Sequence, residues 1–290
     1  MQVTVGIPFF NARSTLGAAM ASVLNQTFED WELILVDDGS TDGSREVARE
    51  GLGDPRVRLL SDGANRGLVA RLNQIAAAAR APLLARMDAD DVMHPDRLRL
   101  QVELVRRTGA ELVGSGAWVM DERLRVTGMR RPAPFRSRAE VLRQGGFVHP
   151  SCLGQTRWFR DHPYDGAFAR AEDLELWART VERSRFAFLD EPLLFYREPR
   201  RPNLAAFRAS WRTERRIVRL YGPGALSAVE VAARTILTHV KALAYGLASP
   251  FPTATSALIA RRSSPISEEE RAGAEATLAR AVARPAVAGA

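Results

Sequence analysis

The sequence predicts an α/β fold in which a mostly parallel central sheet is flanked by helices. Near the amino terminus, four short apolar segments alternate with stretches whose apolar residues have helical spacing. Such alternation is typical of parallel sheets, because a crossover helix connects successive parallel strands. Three of the apolar segments also run directly into polar loops. Ligands of open α/β sheets bind beyond the carboxyl ends of the strands, so these loops predict a ligand site at one edge.

The amino-terminal region supplies strands and helices in regular order. Apolar, partly β-branched segments predict strands over residues 3–7, 31–36, 57–60 and 83–87. Helical spacing predicts helices over residues 14–28, 43–50 and 68–80. The segment 31–36 is apolar almost throughout, as expected for a strand that is covered on both faces.

The next region is predicted to extend this sheet. A helix over 97–107 leads to a strand over 111–120, and residues 126–129 return as a hairpin. A short helix is predicted over 139–144, and another helix opens near residue 171. Two short strands, 186–189 and 193–196, lie on either side of Pro192 and finish the sheet or form an edge hairpin.

A helical carboxyl-terminal extension is predicted over residues 201–262, with helices at 204–221 and 227–247. The first helix is rich in arginine, and the second has an apolar face. Three roles stay open for this extension: docking on the preceding domain, a homodimer contact, and a peripheral contact with an anionic membrane surface. Residues 263–290 have poor apolar spacing and are expected to be disordered or weakly helical.

The charge balance is basic, with a formal net charge of +7, and Lys241 is the only lysine. A coding bias toward arginine explains this composition, and attraction to phosphate groups is the alternative. No nucleic-acid-binding motif accompanies the charge, so no nucleic-acid partner is expected. The single cysteine, Cys152, excludes a disulfide framework and favours a reducing compartment. The first residues are typical of a strand and not of a signal peptide, so a cytoplasmic location is expected, with the inner face of the cell membrane as the place of any peripheral contact.

Three carboxylates follow the fourth predicted strand within four residues: Asp88, Asp90 and Asp91. Mg²⁺ takes one or two carboxylates and fills its other positions with water and substrate phosphates. The alternative interpretation is an acidic, solvated turn. The sequence lacks the glycine fingerprint of dinucleotide-binding folds and the glycine-rich loop that ends in lysine. A metal held by Asp88 and Asp90 would therefore be a simple counterion for a phosphate ligand.

Seven motifs in one order carry a family resemblance. They are IPFFN, LVDDGSTD, NRG followed by LN, MDADD with HPDR, FVHPS, AEDLELW and PLLFYR, and they span roughly residues 3–197. This series resembles the family 2 glycosyltransferases, which have the GT-A type nucleotide-diphospho-sugar transferase fold. The resemblance implies a catalytic domain over 1–200, with a nucleotide-binding half at 1–92 and an acceptor half at 93–200.

The resemblance also implies roles for the amino-terminal motifs. It places the nucleoside against Pro8, Phe10 and Asn11, with Asp38 accepting from the base or ribose. Arg71 matches a position near the base or phosphates. Asp90 is implied as the main metal ligand for Mn²⁺ or Mg²⁺, and Asp88 as a contact to the sugar, the ribose or a metal-bound water.

Several of these residues keep a structural interpretation as well. Phe9 is expected to pack in the core, and Phe10 is left between core packing and stacking on a base. Asp37 is expected to be a helper or a turn residue. Helix capping is the preferred interpretation of Ser40 and Asp42.

The downstream motifs concern the acceptor. Asp173 matches the general base of the family, which must deprotonate the acceptor hydroxyl. Glu172 is implied to support Asp173 or to bind the acceptor, and Glu175 is expected on the surface. His149 is implied on the acceptor side, although a structural histidine is the alternative. End stabilisation of a helix is the alternative interpretation of all three acids.

The sequence therefore predicts an inverting, metal-dependent glycosyltransferase of polysaccharide or cell-envelope glycan synthesis. Its donor would be a nucleotide-diphosphate sugar, with a UDP-sugar favoured, and its acceptor a hydroxyl on a glycan, a lipid-linked or a small molecule. Two alternatives remain. An aspartyl-nucleophile phosphatase or phosphotransferase shares the loop of Asp88 and Asp90 but needs a later lysine. A non-catalytic nucleotide-sugar binder would share the fold.

Overall fold

A computed structural model describes residues 1–198, 204–249, 251 and 262–283. The amino-terminal region alternates strands and helices as the sequence predicts. Its strands are β1 (Val3–Phe9), β2 (Trp31–Asp37), β3 (Val57–Ser61), β4 (Leu83–Arg86) and β5 (Val92–Met93). Its helices are α1 (Leu16–Leu24), α2 (Ser44–Glu50), α3 (Leu68–Ala78) and α4 (Arg97–Thr108).

The second region adds strands and short helices to the same sheet. Its strands are β6 (Leu112–Met120), β7 (Val126–Arg130), β8 (Leu153–Gln155) and β9 (Phe186–Arg197). Its helices are α5 (Arg138–Gln144), α6 (Thr156–Asp161) and α7 (Glu172–Thr180). The carboxyl-terminal region contains α8 (Leu204–Tyr221), α9 (Ala228–Ala248) and α10 (Glu268–Val282).

In the described residues, the strands form one sheet in the order β3-β2-β1-β4-β8-β6-β9-β5, and β7 pairs with β6. Strands β1 to β4 are parallel where they pair, and β6 and β9 are parallel as well. The short β8 is antiparallel to both β4 and β6 and joins the two regions. The predicted mixed, mostly parallel sheet between helices is thus confirmed.

The first strands are buried on both faces because helices cover each side of the sheet. Every residue of β1 and β2 is buried, which explains their nearly unbroken apolar sequence. Gly6 lies directly beneath Ile75 of α3, and a Cβ atom at Gly6 would collide with the Ile75 side chain. The absent side chain therefore lets α3 pack closely on the centre of the sheet.

The prediction of two short strands around Pro192 is wrong, because residues 186–197 form the single long strand β9. Pro192 is paired with Gly116, where the register between β6 and β9 shifts. Proline has no N–H to donate, and an irregularity in the ladder removes the need for that donor. The strand can therefore continue through Pro192.

The extension folds into a helical hairpin of α8 and α9, and α8 packs against α7. The segment expected to be disordered or weakly helical contains the 15-residue helix α10. Its Ala274, Leu278 and Ala281 are buried in a cluster with Val92. The Nδ2 atom of Asn25, at the end of α1, donates to the carbonyl of Ala281 at 2.9 Å. Within the described part of the chain, no helix combines the length and apolar character needed to cross a bilayer.

Candidate active site

A cavity of about 910 Å³ lies between the loops after β1, β2 and β3, the start of α3, and the first turn of α7 with the loop before it. Phe10 and Asp38 lie on its wall, as do Glu172 and Asp173. Helix α8 contributes Ser210. The fold thus brings four of the predicted site residues to one cavity from segments that are far apart in the sequence.

Asp38 is held in one orientation at the end of β2. Its carboxylate accepts hydrogen bonds from the backbone N–H groups of Arg66, at 2.7 Å, and Gly67, at 3.0 Å. The Nε atom of Arg71 donates to it at 2.8 Å. A carboxylate has about four acceptor positions, so Asp38 keeps capacity for a ligand at the cavity wall.

Arg71 lies behind Asp38 and is only 1% exposed. Its other nitrogens donate to Asp62 at 2.7 Å, to Gln74 at 2.8 Å and to the carbonyl of Ala64. The sequence predicts Arg71 near the base or phosphates, but the side chain is absent from the lining of this cavity and its donors are engaged within the protein. Its observed contacts instead position Asp38 and the loop before α3.

The first loop contains one exposed aromatic residue. Phe10 is 49% exposed and borders the cavity, whereas Phe9 is 2% exposed and packs in the core, as predicted for Phe9. Pro8 is buried within β1, beside Val36 of β2. Asn11 adopts a φ of 50°, and its Oδ1 atom accepts from the backbone N–H of Thr41 at 2.9 Å. Pro8 and Asn11 therefore shape the loop that presents Phe10.

The second loop is tied together by its own acids, and Asp37 is a turn residue there as predicted. The prediction that Ser40 and Asp42 cap the helix is wrong, because the N-cap of α2 is Gly43, which makes no side-chain capping bond. Asp37 is fully buried and accepts from the backbone N–H of Ser40 and the hydroxyl of Ser61. Asp42 accepts from the backbone N–H of Ser44 at 3.0 Å, at the start of α2. The Oγ atom of Ser40 accepts from the backbone of Asn11, which joins the two loops.

The acidic cluster after β4 has the donor set of a cation site. Asp88, Asp90 and Asp91 each place one carboxylate oxygen within 4.8 Å of the others. Asp91 is 1% exposed, and one of its oxygens is buried with no hydrogen-bond partner among the described residues. Its other oxygen accepts from the backbone N–H of Arg197 at 2.9 Å. The unpartnered buried oxygen, among hard carboxylate donors, fits a divalent cation such as Mg²⁺ or Mn²⁺.

The crowding of these acids raises the pKa values of their carboxyl groups. Desolvation, together with the charge of Asp88, raises the pKa of Asp90 to about 6. Desolvation and the charges of Asp90 and Asp88 also raise the pKa of Asp91 well above its ordinary value. A bound cation would relieve this repulsion, because its positive charge favours the ionised carboxylates.

The sequence motifs do not single out Arg86, which links this cluster electrostatically to α7. It is 4% exposed, and its Nη1 atom donates to Asp88 Oδ2 at 2.7 Å. Burial opposes its charge, but the neighbouring Asp88, Tyr164 and Glu172 keep the pKa of Arg86 above its ordinary value. The sequence feature that could have identified Arg86 is an arginine within an otherwise apolar strand, directly before an acidic loop.

Two carboxylates open helix α7. Ala171, the residue before the helix, has a φ of 58°. This left-handed conformation is uncommon for residues other than glycine, and it sets the direction in which α7 begins. Burial and the adjacent Asp173 raise the pKa of Glu172 to about 7. Burial also raises the pKa of Asp173, against the opposing effects of the Leu174 N–H and Arg86. A carboxylate with a raised pKa is a better proton acceptor near neutral pH.

His149 lies behind the α7 carboxylates and is 7% exposed. Its Nε2 atom is 2.8 Å from the Tyr164 hydroxyl, and its Nδ1 atom is 3.6 Å from Glu172 Oε1. Burial and the charge of Arg86 hold the pKa of His149 well below its ordinary value, so the imidazole is neutral. These contacts place His149 as a support of Glu172; Tyr164 was not singled out in the sequence.

The expectation that Glu175 lies on the surface is wrong, because this residue is only 1% exposed. The Tyr221 hydroxyl of α8 donates to it at 2.6 Å, and Arg179 Nε donates at 2.8 Å. The third acid of α7 therefore fastens the extension to the helix that carries Asp173.

Comparisons with known proteins show the family and the fold of this chain. The family description "Glycosyl transferase family 2" matches residues 4–166. The putative glycosyltransferase EpsE of Bacillus subtilis is 31% identical over 204 residues, which cover 68% of this chain and 73% of EpsE. The UDP-Glc:alpha-D-GlcNAc-diphosphoundecaprenol beta-1,3-glucosyltransferase WfgD of Escherichia coli is 32% identical over 188 residues, covering 65% of this chain and 73% of WfgD.

Two solved structures share the fold at low identity. TarS of S. aureus in complex with UDP-GlcNAc has a TM-score of 0.61 at 14% identity, over 76% of this chain and 66% of that chain. The mannosyltransferase PcManGT of Pyrobaculum calidifontis, in complex with GDP-Man and Mn²⁺, has a TM-score of 0.60 at 16% identity, over 97% of this chain and 85% of that chain. From the family match, the related sequences and the shared fold, this chain belongs to glycosyltransferase family 2 and is an enzyme of the GT-A fold.

Proposed function

We propose that this glycosyltransferase moves a sugar from a nucleotide-diphosphate donor to a hydroxyl acceptor, with inversion and with the help of a divalent cation. The observation that carries the proposal is the shared cavity, whose wall includes both Asp38 and Asp173. Asp88, in the acidic cluster, raises the pKa of Asp173, so the two groups of acids lie within electrostatic reach. WfgD is named for a diphosphoundecaprenol-linked acceptor, which supports polysaccharide or cell-envelope glycan synthesis as the setting.

In this proposal the nucleoside lies between the first two loops. The exposed ring of Phe10 stacks on the base, and the free acceptor positions of Asp38 bind the base or ribose. Pro8 and Asn11 shape the loop, and Arg71 positions Asp38. A UDP-sugar is the favoured donor, since TarS is in complex with UDP-GlcNAc and WfgD is named for UDP-Glc.

The cation would be held by Asp90 with Asp88, and the unpartnered oxygen of Asp91 adds a third donor. Mn²⁺ and Mg²⁺ both suit these oxygen ligands, and PcManGT is in complex with Mn²⁺. When bound, such an ion stabilises the negative charge that develops on a leaving diphosphate. Arg86 holds Asp88 in place from the buried side of the loop.

Asp173 is proposed as the general base. As the acceptor oxygen attacks the anomeric carbon, Asp173 takes the hydroxyl proton, and the bond from that carbon to the diphosphate breaks. One displacement from the opposite face inverts the anomeric centre. Glu172, supported by His149 and Tyr164, lies beside Asp173 and is proposed to orient the acceptor.

This assignment divides the chain by role. Residues 1–92 would bind the nucleotide and 93–200 the acceptor, with 201–262 as the helical extension. The basic segment 197–201, at the end of the last family motif, would cover the diphosphate in this proposal. Arg197 donates to the carbonyls of Asp90 and Asp121, and residues 199–201 lie outside the described part of the chain.

The phosphatase alternative gains no support, because the only lysine, Lys241, is exposed on α9.

A thermal-shift panel tests the proposal directly. UDP-, GDP- and dTDP-sugars are added with Mn²⁺ or with EDTA, and a metal-dependent rise in melting temperature with one nucleotide is expected. Asp173→Asn should keep this donor-induced shift but lose transfer by a factor of about 10²–10⁴. Glu122→Gln, an exposed change in the β6–β7 turn, is the control. Absence of a shift with every nucleotide, or retained transfer by Asp173→Asn, would contradict the proposal.

A further inference from the structure

In the described part of the chain, the hairpin of α8 and α9 leaves a long apolar surface uncovered. Five apolar side chains of α9 are more than half exposed, and their spacing puts them on one side of the helix. We call this surface the apolar face; it consists of Val229, Ile236, Val240, Leu243 and Leu247. The opposite side of α9 packs inward, with Thr238 at 1% and Tyr245 at 9% exposure. A continuous exposed surface of this kind is typical of an interaction site.

A basic surface runs along the neighbouring helix. Arg208, Arg212 and Arg219 of α8 are exposed and recur at helical spacing, and we call them the basic stripe. Arg208 reaches α9 beside Gly246. Its Nη2 atom is 3.3 Å from the point that a Cβ atom of residue 246 would occupy. Arg215 Nη1 is 3.4 Å from Thr238 Oγ1. Basic side chains of α8 therefore contact α9, and Arg215 does so on the side of α9 that is opposite the apolar face.

We propose that the α8–α9 hairpin binds the surface of an anionic phospholipid bilayer. The apolar face would enter the boundary between headgroups and acyl chains, and the basic stripe would contact lipid phosphates. The exposed Lys241 of α9 adds one more positive charge. Neither step needs a nucleotide or a cation, so the inference goes beyond the proposed function.

Charge favours a bilayer over a second copy of the chain. Two hairpins joined through their apolar faces would bring two sets of arginines into one assembly. Among the described residues of the hairpin, Glu230 is already paired with Arg143 at 2.7 Å, and Glu214 is half-buried. An anionic lipid surface supplies the counter-charge that the hairpin itself lacks.

The hairpin is joined directly to the cavity. Ser210 of α8 lines the cavity, and Tyr221 of α8 is bonded to Glu175 of the helix that carries Asp173. Bilayer binding would therefore hold the cavity beside the membrane, where a lipid-linked acceptor resides. This consequence for the acceptor rests on the proposed function, whereas bilayer binding itself does not.

Vesicle co-sedimentation of the full chain tests the inference. Phosphatidylcholine vesicles are compared with vesicles that also contain phosphatidylglycerol. The protein should pellet with the anionic vesicles about tenfold more strongly, and high salt should reduce this binding. The double variant Ile236→Glu with Leu243→Glu should lose about tenfold in binding, as should Arg212→Gln with Arg219→Gln. Leu52→Glu, an exposed apolar residue far from the hairpin in sequence, is the matched control.

Circular dichroism and the melting temperature without added donor check that each variant keeps its fold. Loss of vesicle binding with an unchanged melting temperature supports the inference whether or not the protein binds a nucleotide sugar, so it is independent of the proposed function. Equal pelleting of wild type and both double variants would overturn it. A wild-type dimer in sedimentation velocity that Ile236→Glu with Leu243→Glu dissociates, without vesicle binding by the wild type, would also overturn it and assign the apolar face to a second copy.

Discussion

The Nη1 atom of Arg86 lies 2.7 Å from Asp88 Oδ2, and this pair is the electrostatic centre of the site. Arg86 opposes the raised pKa of Asp90, of Glu172 and of Asp173. A single buried cation side chain thus counteracts acids of two segments, the loop after β4 and the first turn of α7. Its removal would leave several buried or half-buried carboxylates without their shared counter-charge.

Arg86→Met should therefore destabilise the fold strongly. Breaking a buried ion pair from one side costs about 3–5 kcal/mol, because the remaining charge stays buried without compensation. Urea denaturation at pH 7 in EDTA measures the free energy of unfolding. Arg99→Met removes an exposed pair with Asp96 and should cost at most about 1 kcal/mol. Equal losses in the two variants would show that Arg86 does not have this role.

Asp90→Asn should weaken donor binding only where a cation is present. We expect a loss of about tenfold in affinity for the nucleotide sugar with Mn²⁺, and little change in EDTA, because an amide replaces an anionic ligand. Isothermal titration of the donor under both conditions measures this difference. Glu122→Gln serves as the control. An equal loss with and without Mn²⁺ would remove the assignment of Asp90 as a metal ligand.

The charge on Glu172 should make stability depend on pH. Its pKa is raised from 4.5 to about 7 in the folded state, so the folded protein binds the proton more readily than the unfolded chain. The resulting penalty is present above pH 7 and disappears as the pH falls toward 4.5, with an upper limit of about 3 kcal/mol. Glu172→Gln should therefore be more stable than wild type at pH 8 and close to it at pH 5. Chemical denaturation in EDTA at both values measures the difference, and a constant difference would contradict the prediction.

Transfer should also fall on acidification. Asp173 must be ionised to accept the acceptor proton, and its raised pKa moves the loss of activity toward neutral pH. The profile of kcat/KM against pH is expected to decline on the acidic side, at a pH above the ordinary pKa of an aspartate. In Glu172→Gln the decline should stay at the same pH, because Glu172, with a pKa of about 7, is already neutral when Asp173 takes up its proton. A shift of the decline in this variant would contradict that order of protonation.

Arg71→Lys should raise the KM for the donor more than it lowers kcat. Lysine cannot bond Asp38, Asp62 and Gln74 together, so Asp38 would lose its fixed orientation. We expect an increase of about tenfold in KM, equivalent to about 1.4 kcal/mol of donor binding. Arg80→Lys, at an exposed position just after α3, is the control. An unchanged KM would contradict a positioning role for Arg71.

The sequence predicts the amino-terminal part of the fold well, because its strands and helices have clear apolar periods. Strands β1, β2 and β4 run into the polar loops where the parallel order of the sheet requires a common edge. The locations of Phe10 and Asp38 on one cavity follow from that topology. Local pattern was sufficient here, because each loop directly follows the strand that places it.

Long-range partners explain what the pattern could not predict. Glu175 is a charged residue that becomes buried, and its partner Tyr221 is 46 positions away in the sequence. Arg86 pairs with the nearby Asp88, but its effect on Glu172 and Asp173 of α7 is known only once the chain is folded. The burial of Arg71 could not be predicted either, because it depends on the loop that folds over this side chain. Pro192 in β9 is tolerated by a register shift that involves another strand.

The bond between Asn25 and Ala281 joins residues that are 256 positions apart. Bringing such distant segments together costs loop-closure entropy, which contacts within the early strands and helices do not. We therefore expect α10 to dock late in folding, after the sheet around β1 and β2 has formed. During synthesis, the surface of α1 that receives α10 stays open until residue 282 has left the ribosome, and the nascent chain exposes that apolar surface throughout this interval.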